Sequence, residues 1–254
     1  MNISDYKTLF DTLCDTVKRY PDRAAYCVPP MAGRSYHPEG WEITWQQVMA
    51  GVDAKRSVYQ KAGVGHGHRV AILFEQRPEF FFHYYALNSL GAGIVPINPD
   101  YLVDEIKYVI EHSEASLAVC VDSRMGDMLT ISDEIEAEIK VVSFDLFPDE
   151  LPVLPKAPRQ DAPNAATEAA LLYTSGTTGK PKGCVLTNEY FHTFGASYLF
   201  AGGRLDFRDT GERLYNPLPL HHANCLSISV PAMLMSGGCV IFPDRFHAST
   251  WWKD

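Results

Sequence analysis

Apolar positions in this chain fall into two periods, and the switches between them predict its elements. Phe10, Leu13, Cys14 and Val17 recur at helical spacing, and Pro21 ends the run. Residues 24–28 read as a short strand, followed by a turn-rich excursion through Pro29, Pro30, Gly33, Pro38 and Gly40. Thr44 and Gln47 have the spacing of a capping box, in which hydroxyl and amide each satisfy a free backbone N–H at a helix start. The helix they open carries Trp45, Val48, Val52 and Tyr59, and Gly63 stands where a left-handed stop would fall. Short apolar strands are then predicted at residues 69–74, 94–97, 117–121 and 140–144, alternating with helices at 78–90, 104–113 and 125–137. Pro78 suits a first helical turn and Gly91 a stop. This alternation predicts an α/β fold: layered, mostly parallel sheets flanked by helices on both faces.

The pattern breaks between Phe147 and Asn164, where Pro148, Pro152, Pro155, Pro158 and Pro163 can continue neither a helix nor a central strand. Residues 148–164 are therefore expected to link a first α/β portion, 1–147, to a second, 165–254. The second portion is expected to hold strands at 170–173 and 183–186 around a polar loop. A helix around 190–200, another at 226–235 and a strand at 239–242 follow. The sequence contains no internal repeat or low-complexity tract.

Composition narrows the classes. With 254 residues, 46% hydrophobic and 21% charged, the chain is too apolar for a disordered protein and long enough to bury a sizeable core. Its 22 Lys and Arg against 31 Asp and Glu leave a net charge of −9, which gives no general attraction to nucleic acid or anionic lipid. The most apolar stretch, residues 80–97, is interrupted by His83, Asn88, Gly91, Gly93 and Pro96, so no integral membrane segment is expected. The aromatic run 80–85 reads as a buried helix packing on a sheet. Residues 1–5 lack the basic start and apolar core of a secretion signal. Six dispersed cysteines, with no C-x-x-C pair, argue against a zinc site and for reduced thiols in a cytoplasmic protein. No residue is assigned to a metal.

The chemistry concentrates in residues 171–183, LLYTSGTTGKPKG, where four hydroxyl residues, three glycines and two lysines follow an apolar strand. Glycines let successive N–H groups converge on an anion, hydroxyls add donors, and a lysine adds a charge-assisted contact. The combination suits a polyphosphate. It is not the common P-loop: Gly176 and Gly179 are too close, and Pro181 follows Lys180 where that motif needs a metal-binding hydroxyl. A plain surface turn is the competing reading for any Gly/Ser/Thr-rich loop.

Residues 171–183 resemble, nearly residue for residue, the signature of adenylate-forming enzymes, which include acyl-CoA synthetases, luciferases and peptide-synthetase adenylation domains. Residues 43–48 (ITWQQV) and 90–99 (LGAGIVPINP) are similar to earlier segments of that family, in its order. Residues 219–224 (PLHHAN) resemble the P-L-F-H-x-N segment of acyl-CoA ligases, with His222 matching the family's histidine and His221 replacing the usual aromatic. Residues 246–252 (FHASTWW) resemble a stretch of bacterial ligases of the crotonobetaine/carnitine–CoA ligase type.

The resemblance implies an ATP-dependent acid–CoA ligase, with ATP, Mg2+ and CoA as cofactor and co-substrates. A carboxylate attacks the α-phosphorus of Mg·ATP to give acyl-AMP and pyrophosphate, and the CoA thiol then displaces AMP. By motif position Thr174, Ser175, Gly176, Thr177, Thr178, Gly179 and Lys182 would bind ATP phosphates, Lys180 would face solvent, and His222 would lie near the acyl pocket. For His221 a structural or solvated role is favoured; Asn224 and Cys225 are assigned none. The resemblance covers the whole chain but only the first half of the family. The chain is thus expected to be an incomplete N-terminal domain without the family's C-terminal lid, inactive as a ligase by itself. Fatty acid metabolism, a small-molecule carboxylate partner and a homodimer are compatible expectations. The alternatives are an adenylate-former that acylates a carrier protein, or a non-catalytic nucleotide-binding module.

Overall fold

The strand–helix alternation builds two sheets in the computed structural model, which describes residues 6–136, 138–174, 180–203, 206–207 and 211–249. The elements are α1 (Leu9–Arg19), β1 (Ala24–Val28), β2 (Trp41–Thr44), α2 (Trp45–Lys61), β3 (Arg69–Leu73), α3 (Phe80–Ser89), β4 (Gly93–Ile97), α4 (Val103–Ser113), β5 (Leu117–Cys120), α5 (Met125–Glu134) and β6 (Lys140–Ser143). Then follow β7 (Glu168–Thr174), β8 (Lys182–Thr187), α6 (Asn188–Leu199), β9 (Arg213–Tyr215), α7 (Val230–Ser236) and β10 (Cys239–Ile241).

The larger sheet has the order β6-β5-β3-β4-β7-β8, parallel throughout except for the antiparallel β7–β8 pair. Its inner strands β3, β4 and β5 are apolar on both faces because both faces are covered. Val70, Ile72, Ile94, Leu117, Val119 and Leu172 point into the main core, where Trp45 and Tyr59 of α2 and Phe80, Phe81, Tyr84 and Tyr85 of α3 are fully buried. The alternate residues Ala71, Leu73, Val95, Ala118, Cys120 and Leu171 meet Ile106, Val109 and Ile110 of α4 and Met128 and Ile131 of α5 on the opposite face. The smaller sheet has the order β2-β1-β10-β9, with β1–β2 antiparallel and the rest parallel.

Both sheets join strands from either side of the proline-rich stretch: β7 lies beside β4, and β10 beside β1. That stretch runs along the turn after α2, with Leu154 N–H donating to the Ala62 carbonyl (2.8 Å) and Arg159 N–H to that of His66 (3.0 Å).

Three features differ from the sequence expectation. The edge strands β2 and β9 fall outside the expected elements; each is short and only partly buried, so neither carries a clean apolar period. The helix expected over 226–235 is divided into a π-helical turn, Asn224–Ser229, and the short α7. Pro231, in the first turn of α7, has no N–H to continue an α-helical ladder. The capping box at Thr44 and Gln47 forms as expected, and Gly63 takes a positive φ of 82°. Among the described residues no helix is long and apolar enough to cross a membrane.

Candidate functional site: a hairpin mouth and an adjoining cleft

β7 is buried from Ala169 to Leu172, then emerges through the half-buried Tyr173 to the exposed Thr174. β8 returns antiparallel, pairing Leu172 with Cys184, Tyr173 with Gly183 and Thr174 with Lys182. Thr174 and Lys182, both expected to contact phosphate, thus sit opposite each other at the mouth of the hairpin, and both are exposed. The other expected phosphate contacts, Ser175, Gly176, Thr177, Thr178 and Gly179, lie outside the described residues. Lys180 is exposed.

The stem of the hairpin is held at both ends. At its base Glu168 receives two hydrogen bonds from the Arg69 guanidinium, Nε to Oε1 at 2.7 Å and Nη2 to Oε2 at 2.8 Å. Gly93 makes room for that carboxylate, since a Cβ there would fall 2.8 Å from Oε1. At the mouth, a Cβ on Gly183 would come within 3.1 Å of Leu171 Cδ1, so a side chain there would press on that leucine on the same face of the sheet. Two residues of α4 one turn apart grip the mouth. The Tyr108 hydroxyl donates to the Pro181 carbonyl at 3.0 Å, and His112 Nδ1 lies 2.8 Å from the Tyr173 hydroxyl. Burial, then the Tyr108 phenol beside it, pushes the Tyr173 phenol up to about 12.

A cleft of about 440 Å³ opens at the carboxyl ends of β3 and β4, lined among others by Tyr36, Gln76, Pro99, Asp100, Leu220 and His221. Thr174 ends β7, which runs parallel to β4, so hairpin mouth and cleft share the carboxyl edge of the sheet. That edge is where open α/β sheets receive ligands. The cleft wall is built from backbone-anchored polar groups. Gln76 Nε2 donates to the Leu218 carbonyl (2.8 Å), the Tyr36 hydroxyl to the Gln76 carbonyl (2.7 Å), and the Arg34 guanidinium to the carbonyls of Tyr36, Pro29 and His37.

His221 faces this cleft, whereas His222 is exposed, its Nδ1 accepting from the Asn224 N–H at 3.3 Å. Burial, followed by the neighbouring His222, lowers His221 to about 4, so its ring is neutral near pH 7. Asn224 is exposed, and Cys225 is buried with its Sγ accepting from Asn216 Nδ2 at 3.3 Å. Part of the 246–252 segment, residues 250–252, lies outside the described residues.

Motif reading missed Tyr108, His112, Gln76 and Asp100, which the fold brings to the hairpin mouth or the cleft. Gln76 and Asp100 carry one available signal: each follows an apolar strand at its carboxyl end. Among the described residues no group of three or more His, Cys, Asp or Glu could hold a metal ion. The donor set at the hairpin mouth, a hydroxyl and an ammonium, suits phosphate oxygens rather than a cation.

Comparisons with known proteins bear on the family and the fold. The family model described as AMP-binding enzyme matches residues 13–254. Sulfoacetate–CoA ligase of Cupriavidus necator is 28% identical over 272 aligned residues, which take in 100% of this chain and 49% of that protein. Crotonobetaine/carnitine–CoA ligase of Citrobacter koseri is 26% identical over 217 residues, 79% of this chain and 40% of that protein. The chain thus spans about half the length of the curated relatives it matches. The N-terminal domain of FACL13 from Mycobacterium tuberculosis superposes with a TM-score of 0.79 at 24% identity, covering 98% of this chain and 60% of that one. ATP-bound MatB from Rhodopseudomonas palustris gives a TM-score of 0.75 at 24% identity, over 100% of this chain and 47% of that one. These structures have the same fold, and the family match extends nearly from end to end: the chain belongs to the AMP-binding enzyme family.

Proposed function

We propose that this chain supplies the phosphate-binding part of an ATP-dependent acid–CoA ligase. The observation that carries the reading is the pairing of Thr174 with Lys182 at the carboxyl edge of the sheet, on either side of a segment rich in Gly, Ser and Thr. In this role Thr174, Ser175, Thr177 and Thr178 donate hydroxyls to the β- and γ-phosphates, Gly176 and Gly179 let the backbone approach them, and Lys182 supplies positive charge. As a carboxylate attacks the α-phosphorus, negative charge builds on the departing pyrophosphate. A pre-positioned ammonium and hydroxyls stabilise that charge without reorganising.

Magnesium comes with ATP as the counter-ion of its phosphates, and CoA is the second substrate. The cytoplasm supplies all three and is the proposed location. The adjoining cleft is the proposed acyl site, with the neutral His221 in its wall rather than the exposed His222. Its mixed lining of Arg34, Asp100 and His221 suits a small polar carboxylate, in keeping with relatives named for sulfoacetate and for crotonobetaine/carnitine. Fatty acid metabolism as the setting rests only on the wider resemblance to acyl-CoA synthetases.

The test is ATP–pyrophosphate exchange by the longest product of the gene, across short, long, aromatic, sulfonated and betaine-like carboxylates. Exchange with one acid class establishes adenylation and names the substrate class. ATP binding without exchange for any acid would replace the ligase with a non-catalytic nucleotide-binding module. Transfer to a carrier-protein thiol in preference to CoA would replace the acceptor.

A further inference from the structure

The geometry points to Tyr108, on α4, as a positioning residue for the phosphate-binding hairpin; this rests on the functional reading above and deepens it. Three observations converge on the side chain. Its hydroxyl donates to the carbonyl of Pro181, the residue immediately before β8, at 3.0 Å. Its ring lies under the Lys180 ammonium, 5.3 Å from Nζ to the ring centre, and meets the Tyr173 ring edge-on at 6.5 Å. One turn further along the helix His112 completes the clamp through its 2.8 Å contact with the Tyr173 hydroxyl. One face of a single helix therefore touches both the strand that enters the phosphate-binding segment and the chain that leaves it.

The consequence concerns Lys182. That side chain is exposed, and among the described residues no carboxylate forms an ion pair with it. What fixes its place is the backbone, through the pairing with Thr174 on one side and the Pro181 carbonyl on the other. Proline contributes to the device. It has no N–H to pair with β7, and its fixed φ leaves the carbonyl as the group by which a neighbouring helix can hold it. The α4 face is itself well anchored, with Ile106, Val109 and Ile110 buried against the sheet. Tyr108 thus transfers the rigidity of that core to the one charged contact assigned to the departing pyrophosphate.

The experiment compares wild type with Tyr108→Phe, which keeps the ring but removes the donor, and with Tyr108→Leu, which removes both. Three quantities are read: hydrogen exchange of the peptide covering residues 171–187, affinity for Mg·ATP and for inorganic tripolyphosphate, and melting temperature. The Phe variant should exchange faster in that peptide alone and bind both probes about fivefold more weakly, the scale of one lost hydrogen bond, with its melting temperature almost unchanged. The Leu variant should lose more affinity. Wild-type protein that binds neither probe would overturn the functional reading and this inference together. Wild-type binding that Tyr108→Phe leaves unchanged would overturn this inference alone, as would weaker binding without faster local exchange or with a fall in melting temperature that accounts for it.

Discussion

Thr174 and Lys182 are antiparallel partners across the mouth of the β7–β8 hairpin, the last residue of one strand against the first of the next. The relationship sets the two residues that flank the Gly/Ser/Thr-rich stretch in one sheet. Gly183 packs beside Leu171 and Tyr173 in that stem, where an added Cβ would crowd both. Gly183→Val should therefore splay the mouth. The expected result is ATP affinity reduced at least tenfold, with about 1–2 kcal/mol lost from unfolding free energy, measured by titration calorimetry and urea denaturation.

The Arg69–Glu168 pair fastens the base of the same stem to β3. Both side chains are about three-quarters buried, and Arg69 Nη1 also donates to the Ser113 carbonyl at 2.9 Å, so strand and helix are tied together. Glu168→Gln keeps the shape and removes the charge. It should cost about 2 kcal/mol in urea denaturation, the scale of charge-assisted hydrogen bonds, reduced because water still reaches the pair.

Two buried asparagines cap the start of α1 from a distance. Asn188 Oδ1 accepts the Leu9 N–H and Asn88 Oδ1 the Phe10 N–H, both at 3.0 Å, and Asn88 Nδ2 donates to Asn188 Oδ1 at 2.8 Å. Asn188 Nδ2 also reaches the Thr167 carbonyl at 3.1 Å. Asn188→Ala leaves several buried groups unpaired at once and should lower stability by about 3 kcal/mol, with Asn188→Asp only partly restoring it. Chemical denaturation of both variants checks this.

Acid should destabilise the fold before its carboxylates titrate fully. Burial holds His83 well below 6.5 and lowers His192 and His221 to about 4. In the unfolded chain these rings bind protons near pH 6.5, so the unfolded state gains protons that the folded state refuses as pH falls from about 6.5 towards 4. Stability is full above pH 6.5 and declines through that window. His192→Asn, which can still meet Thr12 Oγ1 (2.9 Å from His192 Nε2), should flatten the dependence of melting temperature on pH between 6.5 and 5.

Much of this was legible in the sequence because it depends on local pattern. The apolar runs of β3, β4 and β5 each fit between two helical layers, and the Thr44 cap and the Gly63 stop are set by neighbours only a few residues away. The partners of Tyr108 and Asn188 were not legible, because Pro181 and Leu9 are brought to them by the packing of the hairpin on α4 and of α1 on α6 rather than by any spacing. The dipeptide His221–His222 divides in the structure. The motif singles out the second, while the backbone turn before the π-helical segment aims the first at the cleft. Edge strand β9 has three partly buried or exposed residues and pairs only because β10 is there to receive it.

Direct titration tests whether the β7–β8 mouth binds the phosphates of ATP through Lys182. Mg·ATP and tripolyphosphate would be titrated into wild type, Lys182→Ala and Lys180→Ala by calorimetry. Wild type should bind both ligands, Lys182→Ala should bind them about tenfold or more weakly, and Lys180→Ala should change little. Equal affinity in wild type and Lys182→Ala would contradict a phosphate contact by Lys182.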